Sequence, residues 1–203
     1  MRKFLAVAAI AIATAAVPAA AQDMNADQST STGATAPDGS KAFGIDPYVA
    51  VMGGWEQFDS ESNPAGIPGG FRNNKLNGSL VQGVVGVNVP LGPVFVGAEG
   101  NVAKGVSGDI DWEYGAAGRF GFRAGESGLF YGKVGYQWVN FDKRAPTNRD
   151  YNDVTYGVGA EFGPKDIGLS GLTGNAGFRI RTEVSTFGAA HSFRPMVGVV
   201  THF

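Results

Sequence analysis

The stretch from Ile110 to Arg123, IDWEYGAAGRFGFR, constrains the fold more than any other in the chain. Read every second residue, it separates into two sets. One is uncharged: Ile110, Trp112, Tyr114, Ala116, Gly118, Phe120 and Phe122. The other is charged or tiny: Asp111, Glu113, Gly115, Ala117, Arg119, Gly121 and Arg123. A period of two sends these sets to opposite faces of a β-strand. The run outlasts a usual globular strand, and aromatics stand at both ends of its apolar set. Strands that cross a membrane look like this, with aromatic girdles at two interfaces and polar groups inside. One such strand cannot stand alone, so the chain must supply partners that obey the same rule.

Composition narrows the classes. The 203 residues allow one domain with a sizeable core. A net charge of -2 and a pI near 5.7 lack the basic footprint of a nucleic-acid binder. The hydrophobic fraction of 43% and mean hydropathy of -0.04 resemble a soluble protein, yet membrane barrels give the same averages because apolar and polar residues interleave. Cysteine is absent, which excludes a disulfide framework, a thiolate nucleophile, a cysteine metal site and a lipidated N-terminal cysteine.

Residues 1–21 read as a secretory signal peptide. Arg2 and Lys3 give the positive n-region, Phe4 to Ala16 is too short to span a bilayer, and Ala19-Ala20-Ala21 offers a cleavage site before Gln22. Residues 22–45 are small and polar, the composition of a disordered tail. The barrel is expected over 46–203. No apolar stretch after the signal approaches the roughly 18 residues of a transmembrane helix.

From Asp46 onward eight alternating segments follow. They are Pro47 to Gln57, Ser79 to Val89, Val94 to Ala103, Ile110 to Arg123, Leu129 to Phe141, Tyr151 to Phe162, Ala176 to Phe187 and Phe193 to Phe203. Phe58 to Asn77 reads as a long loop, Pro90-Leu91-Gly92-Pro93 as a tight turn, and Lys104 to Asp109 as a short loop. Asp142 to Arg149 and Gly163 to Asn175 read as further connections.

The apolar sets of these segments hold no charge. Glu99, Arg119, Lys133, Glu161, Arg181 and Glu183 all fall on the opposite face. A charge facing lipid at mid-bilayer costs about 2–4 kcal/mol, so a membrane barrel must segregate in this way. A soluble barrel would alternate too, with the apolar set inside. What favours the membrane is an aromatic distribution with Trp55, Trp112 and Trp138 toward the long-loop ends and Phe122, Phe130, Phe162, Phe178 and Phe203 toward the other. The expected fold is an all-β, eight-stranded, antiparallel, up-and-down transmembrane β-barrel. Gly115, Ala117, Gly121, Gly135, Gly157, Gly159 and Gly198 on the inner face suit its narrow lumen. Pro195 would remove a ladder bond, and is expected at the upper rim, where pairing has ended.

The segments YVAVMGGWEQF, FVGAEGN, GRFGF, YGKVG, GAEF and RTE together resemble the OmpA-like family of small eight-stranded outer-membrane barrels, porin-like or opacity-type. The resemblance covers roughly Asp46 to Phe203, with no peptidoglycan-binding domain following. It implies inward carboxylates and cations at Glu99, Arg119, Lys133, Glu161, Arg181 and Glu183. It also implies that the ending GVVTHF, through Val199, Thr201 and Phe203, is a C-terminal signal read by the barrel-assembly machinery. Outer-membrane lipid, lipopolysaccharide and periplasmic chaperones are the other implied partners.

Inside, Glu99 and Arg119 are placed to pair laterally, as are Lys133 and Glu161, since neighbouring strands lie about 4.8 Å apart. Such an ion network can simply fill the lumen, or its switching can gate a narrow conductance. The long loop offers Phe71, Arg72 and Lys75 as contacts for surface recognition. Catalysis is not expected. His191 and Ser192 are a possible base and nucleophile for a lipid A-modifying enzyme, but adjacent strand residues point to opposite faces. No ligand cluster for a metal and no dinucleotide fingerprint is present, so no cofactor is expected. The function expected is a structural outer-membrane barrel supporting envelope integrity, with recognition, a low-conductance pore and a lipid A enzyme as rivals.

Overall fold

The computed structural model describes residues 44–59, 76–124, 128–141, 150–163 and 178–203, the side chain of Asp150 excepted. The segments read as a signal peptide, 1–21, and as a polar tail, 22–45, lie outside these residues except for 44 and 45. Eight strands follow in order: β1 (Asp46–Phe58), β2 (Asn77–Leu91), β3 (Val94–Gly108), β4 (Ile110–Ala124), β5 (Gly128–Phe141), β6 (Asp150–Phe162), β7 (Phe178–Phe187) and β8 (Ser192–His202). Each pairs antiparallel with its sequence neighbour, and β8 closes on β1. The chain is an up-and-down transmembrane barrel with no free edge, as the alternation requires.

Its surface is inverted relative to a soluble barrel. Val51, Val85, Phe120, Val134, Val158 and Val197 face outward, while Glu99, Arg119, Glu161 and Arg181 are buried inside. Tyr114 stacks on Trp138 at 5.5 Å, and Tyr136 packs edge-on to the same indole, forming one aromatic girdle. Phe122 stacks on Phe130 and Phe130 meets Phe162, forming the other. The end carrying Trp138 is called upper below, and the end carrying Phe122 lower. At the lower end Gly92 and Pro93 link β2 to β3, with Gly92 at φ +76°, the sign a primed hairpin turn needs at its first central residue.

Three expectations are corrected by the upper end. β3 does not stop at Ala103 but runs to Gly108, and Asp109 alone separates it from β4. Two irregularities stand there: Val106 of β3 is the extra residue between the Ser79–Ser107 and Leu80–Gly105 pairs, and Asp111 of β4 is the extra residue between the Ile110–Phe141 and Trp112–Asn140 pairs. A bulge adds one residue to one strand and so reverses the alternation beyond it. Ile110, expected on the outer face with Trp112, therefore turns inward and is buried. Gly105 permits the close approach, because a methyl there would overlap the Ile110 carbonyl. Lengthening β3 also brings Lys104 to the outer face beside Trp112, where its ammonium sits 4.7 Å from the indole centroid and pairs with Asp111. The charge stands at the aromatic girdle, not in the apolar band.

Pro195 also departs from expectation. It lies within paired β8, opposite Val184 of β7, and pairing resumes above it between Phe193 and Gln57. On the β1 side the ladder skips Trp55 and Glu56, which accommodates the missing N–H. Gly54 makes room for the displaced backbone, since a methyl there would strike the Pro195 carbonyl.

The interior is stacked in layers. At the top, Phe58, Leu76, Leu80, Ile110, Val139, Phe141, Tyr151 and Phe187 form an apolar plug. Phe58 packs against Phe141, Tyr151 and Phe187 at ring separations of 5.4–6.1 Å. Lower down, Tyr48, Ala50, Met52, Val84, Met196 and Val200 pack on one wall, with Phe95, Leu129 and Tyr131 in a second cluster. Charged layers fill the space between.

Candidate functional site: the charged lumen

Alternation alone aims the six charges inward: Glu99 from β3, Arg119 from β4, Lys133 from β5, Glu161 from β6, and Arg181 and Glu183 from β7. Each is almost entirely withdrawn from solvent, Lys133 being the most exposed at 7%. Three carboxylates face three cations, so the set is neutral. Glu99 accepts from the Tyr48 hydroxyl at 2.8 Å, Lys133 Nζ at 3.1 Å and Arg181 Nη2 at 2.8 Å, with Arg119 Nη1 at 3.7 Å. Glu183 accepts from the Tyr131 hydroxyl and Arg181 Nη2, both at 2.8 Å, and pairs with Lys133 at 2.5 Å. Glu161 accepts from Arg119 Nη2 at 2.8 Å, with Arg181 Nη1 at 4.0 Å.

The pairing is transverse more than lateral. Lys133 does not take Glu161, the partner expected from the neighbouring strand, but Glu99 and Glu183. Its directly opposed neighbour on β4 is Arg119, a like charge, and on β6 is Gly157. Arg119 approaches Glu99 as expected, yet its shortest contact is with Glu161, two strands away. Arg181 reaches from β7 to Glu99 on β3, half-way round the ring. An eight-stranded lumen is narrow enough for arginine and lysine to span it.

Two tyrosines hold the cations apart. The Tyr131 ring centroid lies 3.9 Å from the Arg119 guanidinium carbon and 5.0 Å from that of Arg181. Tyr48 lies 4.9 Å and 5.8 Å from the same two groups. Each phenol is admitted by an inward glycine on the next strand: Gly86 would clash with Tyr48 if it carried a methyl, and Gly159 with Tyr131. The two halves thus repeat one device, tyrosine on a carboxylate over a glycine, on β1–β3 and again on β5–β7.

Sequence reading missed two further layers. Below the centre, His202 Nδ1 faces both oxygens of Asp46 at 3.0 Å, and Nε2 faces Glu161 at 2.9 Å. A neutral imidazole has one donor nitrogen; flanked by carboxylates on both sides, the ring fits the imidazolium, which has two. Above the centre, Arg194 contacts Glu113 and Gln82, with Glu56 at 3.7 Å, while Gln137 donates to Glu113 at 2.8 Å. The signal for this layer was present, since all five residues sit on inner-face positions of their strands.

The remaining candidates are dispersed. Phe71, Arg72 and Lys75 lie outside the described residues. His191 lies 3.7 Å from Asp59, while the Ser192 hydroxyl is buried without a hydrogen-bond partner among the described residues, so these two side chains do not bond each other. Val199 and Phe203 face outward, Thr201 is half-buried between them, and the Phe203 amide donates to the Pro47 carbonyl at 2.9 Å. Among the described residues no cluster of three or more histidine or acidic side chains could hold a metal ion.

No protein-family profile matches the chain, and no curated protein does. Solved structures of other proteins are similar to it in fold. The attachment invasion locus protein Ail of Yersinia pestis is 16% identical, with 78% of this chain and 98% of that one covered, at a TM-score of 0.46. Neisserial surface protein A is 12% identical over 79% and 99%, also at 0.46. The N-terminal β-barrel domain of Pseudomonas aeruginosa OprF is 12% identical over 78% and 97%, at 0.44.

Proposed function

We propose that the protein is a structural outer-membrane barrel of a bacterial envelope, delivered by a cleaved signal peptide, with a lumen closed by its own side chains. The observation that carries this reading is the interior. A neutral network of six buried charges lies beneath an apolar plug, and large apolar residues are turned outward between two aromatic girdles. A barrel of eight strands has a lumen just wide enough for side chains, and here they fill it. The apolar belt suits acyl chains of membrane lipid and lipopolysaccharide. The outward ends of Val199 and Phe203 suit recognition by an assembly machinery during insertion, with periplasmic chaperones covering the belt beforehand. In this reading the protein uses no cofactor and catalyses no reaction; it contributes a rigid, sealed element to the membrane.

The test pairs two measurements on the full chain. Outer-membrane fractions should contain the protein in a form that migrates faster on gels before boiling than after. Purified protein in planar bilayers should give no sustained single-channel conductance. A steady conductance from the wild-type protein would overturn the sealed-lumen reading, and absence from the outer-membrane fraction would overturn the location.

A further inference from the structure

Among the described residues the upper charged layer does not balance. Glu56 on β1 and Glu113 on β4 are fully buried, and Arg194 on β8 is the cation they share. Both carboxylates address the same nitrogen, Arg194 Nη1, Glu113 in direct contact and Glu56 at 3.7 Å. Arg194's other terminal nitrogen is spent on Gln82 of β2. Gln137 of β5 serves Glu113 and not Glu56. Glu56 faces Glu113 and the Ser192 hydroxyl of β8, yet neither of its oxygens has a hydrogen-bond partner among the described residues. Glu113 Oε1 and Ser192 Oγ are likewise buried and unpartnered. Among the described residues the other titratable neighbours are Tyr151 of β6, at the base of the plug, and Glu183 of β7, which is a further negative charge.

Two ionised carboxylates present only acceptors to each other, and an unpaired buried charge is far more costly than a paired one. One proton between them resolves both problems. It removes the excess charge and turns one carboxyl into the donor the other needs, as in dyads where two carboxyls share a site.

We propose that Glu56 and Glu113 form a proton-binding site beneath the plug, holding one shared proton at neutral pH with Arg194 as counter-ion to the remaining charge. Glu113 is already bonded to Arg194 and Gln137, so Glu56 is the carboxyl that carries the proton. Releasing it leaves two like charges under Phe58, Leu80 and Ile110, which favours hydration of the upper lumen and loosening of the plug. Protonation is thus a closing ligand for this end of the barrel.

The folded state then holds a proton that the unfolded carboxylates surrender well below neutrality, so stability must fall as pH rises. Full-length protein refolded in detergent micelles should lose about 3 °C of melting temperature per pH unit above about pH 6, for as long as the folded site keeps its proton. Glu56→Gln, which mimics the protonated carboxyl, should flatten the slope by that amount. Any slope from the His202 imidazolium persists in both proteins and cancels in the comparison. An independent readout covers a variant that fails to fold: wild-type protein above neutral pH should show the infrared carbonyl stretch of a protonated carboxylic acid. Identical slopes for wild type and Glu56→Gln would overturn the proposal. So would absence of that band, or stabilisation of the wild type by added sodium at constant ionic strength, which would make the bound species a metal cation.

Discussion

The Tyr131 ring centroid lies 3.9 Å from the Arg119 guanidinium carbon while its hydroxyl donates to Glu183 at 2.8 Å. One side chain therefore screens a buried cation with its face and satisfies a buried carboxylate with its edge. The two roles separate by substitution. Tyr131→Phe keeps the face and loses the donor, and should cost about 1.5–3 kcal/mol, the range for a hydrogen bond to a charged group. Tyr131→Leu loses the cation–π contact as well and should cost about 1–2 kcal/mol more. Urea unfolding of the lipid-reconstituted barrel checks both; equal losses would mean the ring face contributes nothing.

Gly159 sits under the same ring. Gly159→Ala places a methyl where Tyr131 lies, in a lumen with no slack, and should destabilise by about 1–3 kcal/mol. Gly83→Ala is the control, because a methyl at Gly83 meets nothing within 4 Å. Its effect on the unfolding midpoint should be small, and a penalty equal to that of Gly159→Ala would contradict the packing argument.

Arg119→Met should be among the most damaging changes in the chain. It strips Glu161 of its closest arginine and leaves a buried carboxylate short of compensation, a loss of about 3–5 kcal/mol. Adding Glu161→Gln to Arg119→Met should recover part of the loss, because the orphaned charge goes with its partner. The double-mutant cycle measures the coupling, and strict additivity of the two single losses would mean the contact at 2.8 Å has no energetic content.

The strand count, the faces and the inward charges were legible because all three depend on a period of two. What the sequence did not reveal is which charge meets which. Lys133 and Glu161 stand on neighbouring strands, so a reader of ladders pairs them; in the barrel Lys133 turns to Glu99 and Glu183. That choice depends on the curvature of a closed sheet, which brings β3 opposite β7 and which no local pattern encodes. Ile110 failed for a different reason. Its alternation with Trp112 is faultless on paper, and one bulged residue inverts it. Pro195 was read correctly as a break in a ladder, but a strand has two ladders and only the one toward β1 is interrupted.

The outer belt makes the last prediction. Val158 is two-thirds exposed on β6, paired with Gly132 and Val184 in the middle of the apolar band. Val106 is as exposed on β3, but lies above the Lys104–Trp112 contact at the upper end. A lysine at mid-bilayer depth costs about 2–4 kcal/mol and one near the interface about 0–1 kcal/mol. Val158→Lys should therefore lower the folding free energy into lipid vesicles by several-fold more than Val106→Lys, which has aqueous headgroups within reach. In water-soluble surroundings the two exposed sites would behave alike, since a surface lysine is cheap anywhere on a soluble protein. Equal and small effects of the two substitutions in vesicles would mean that the apolar belt does not face lipid.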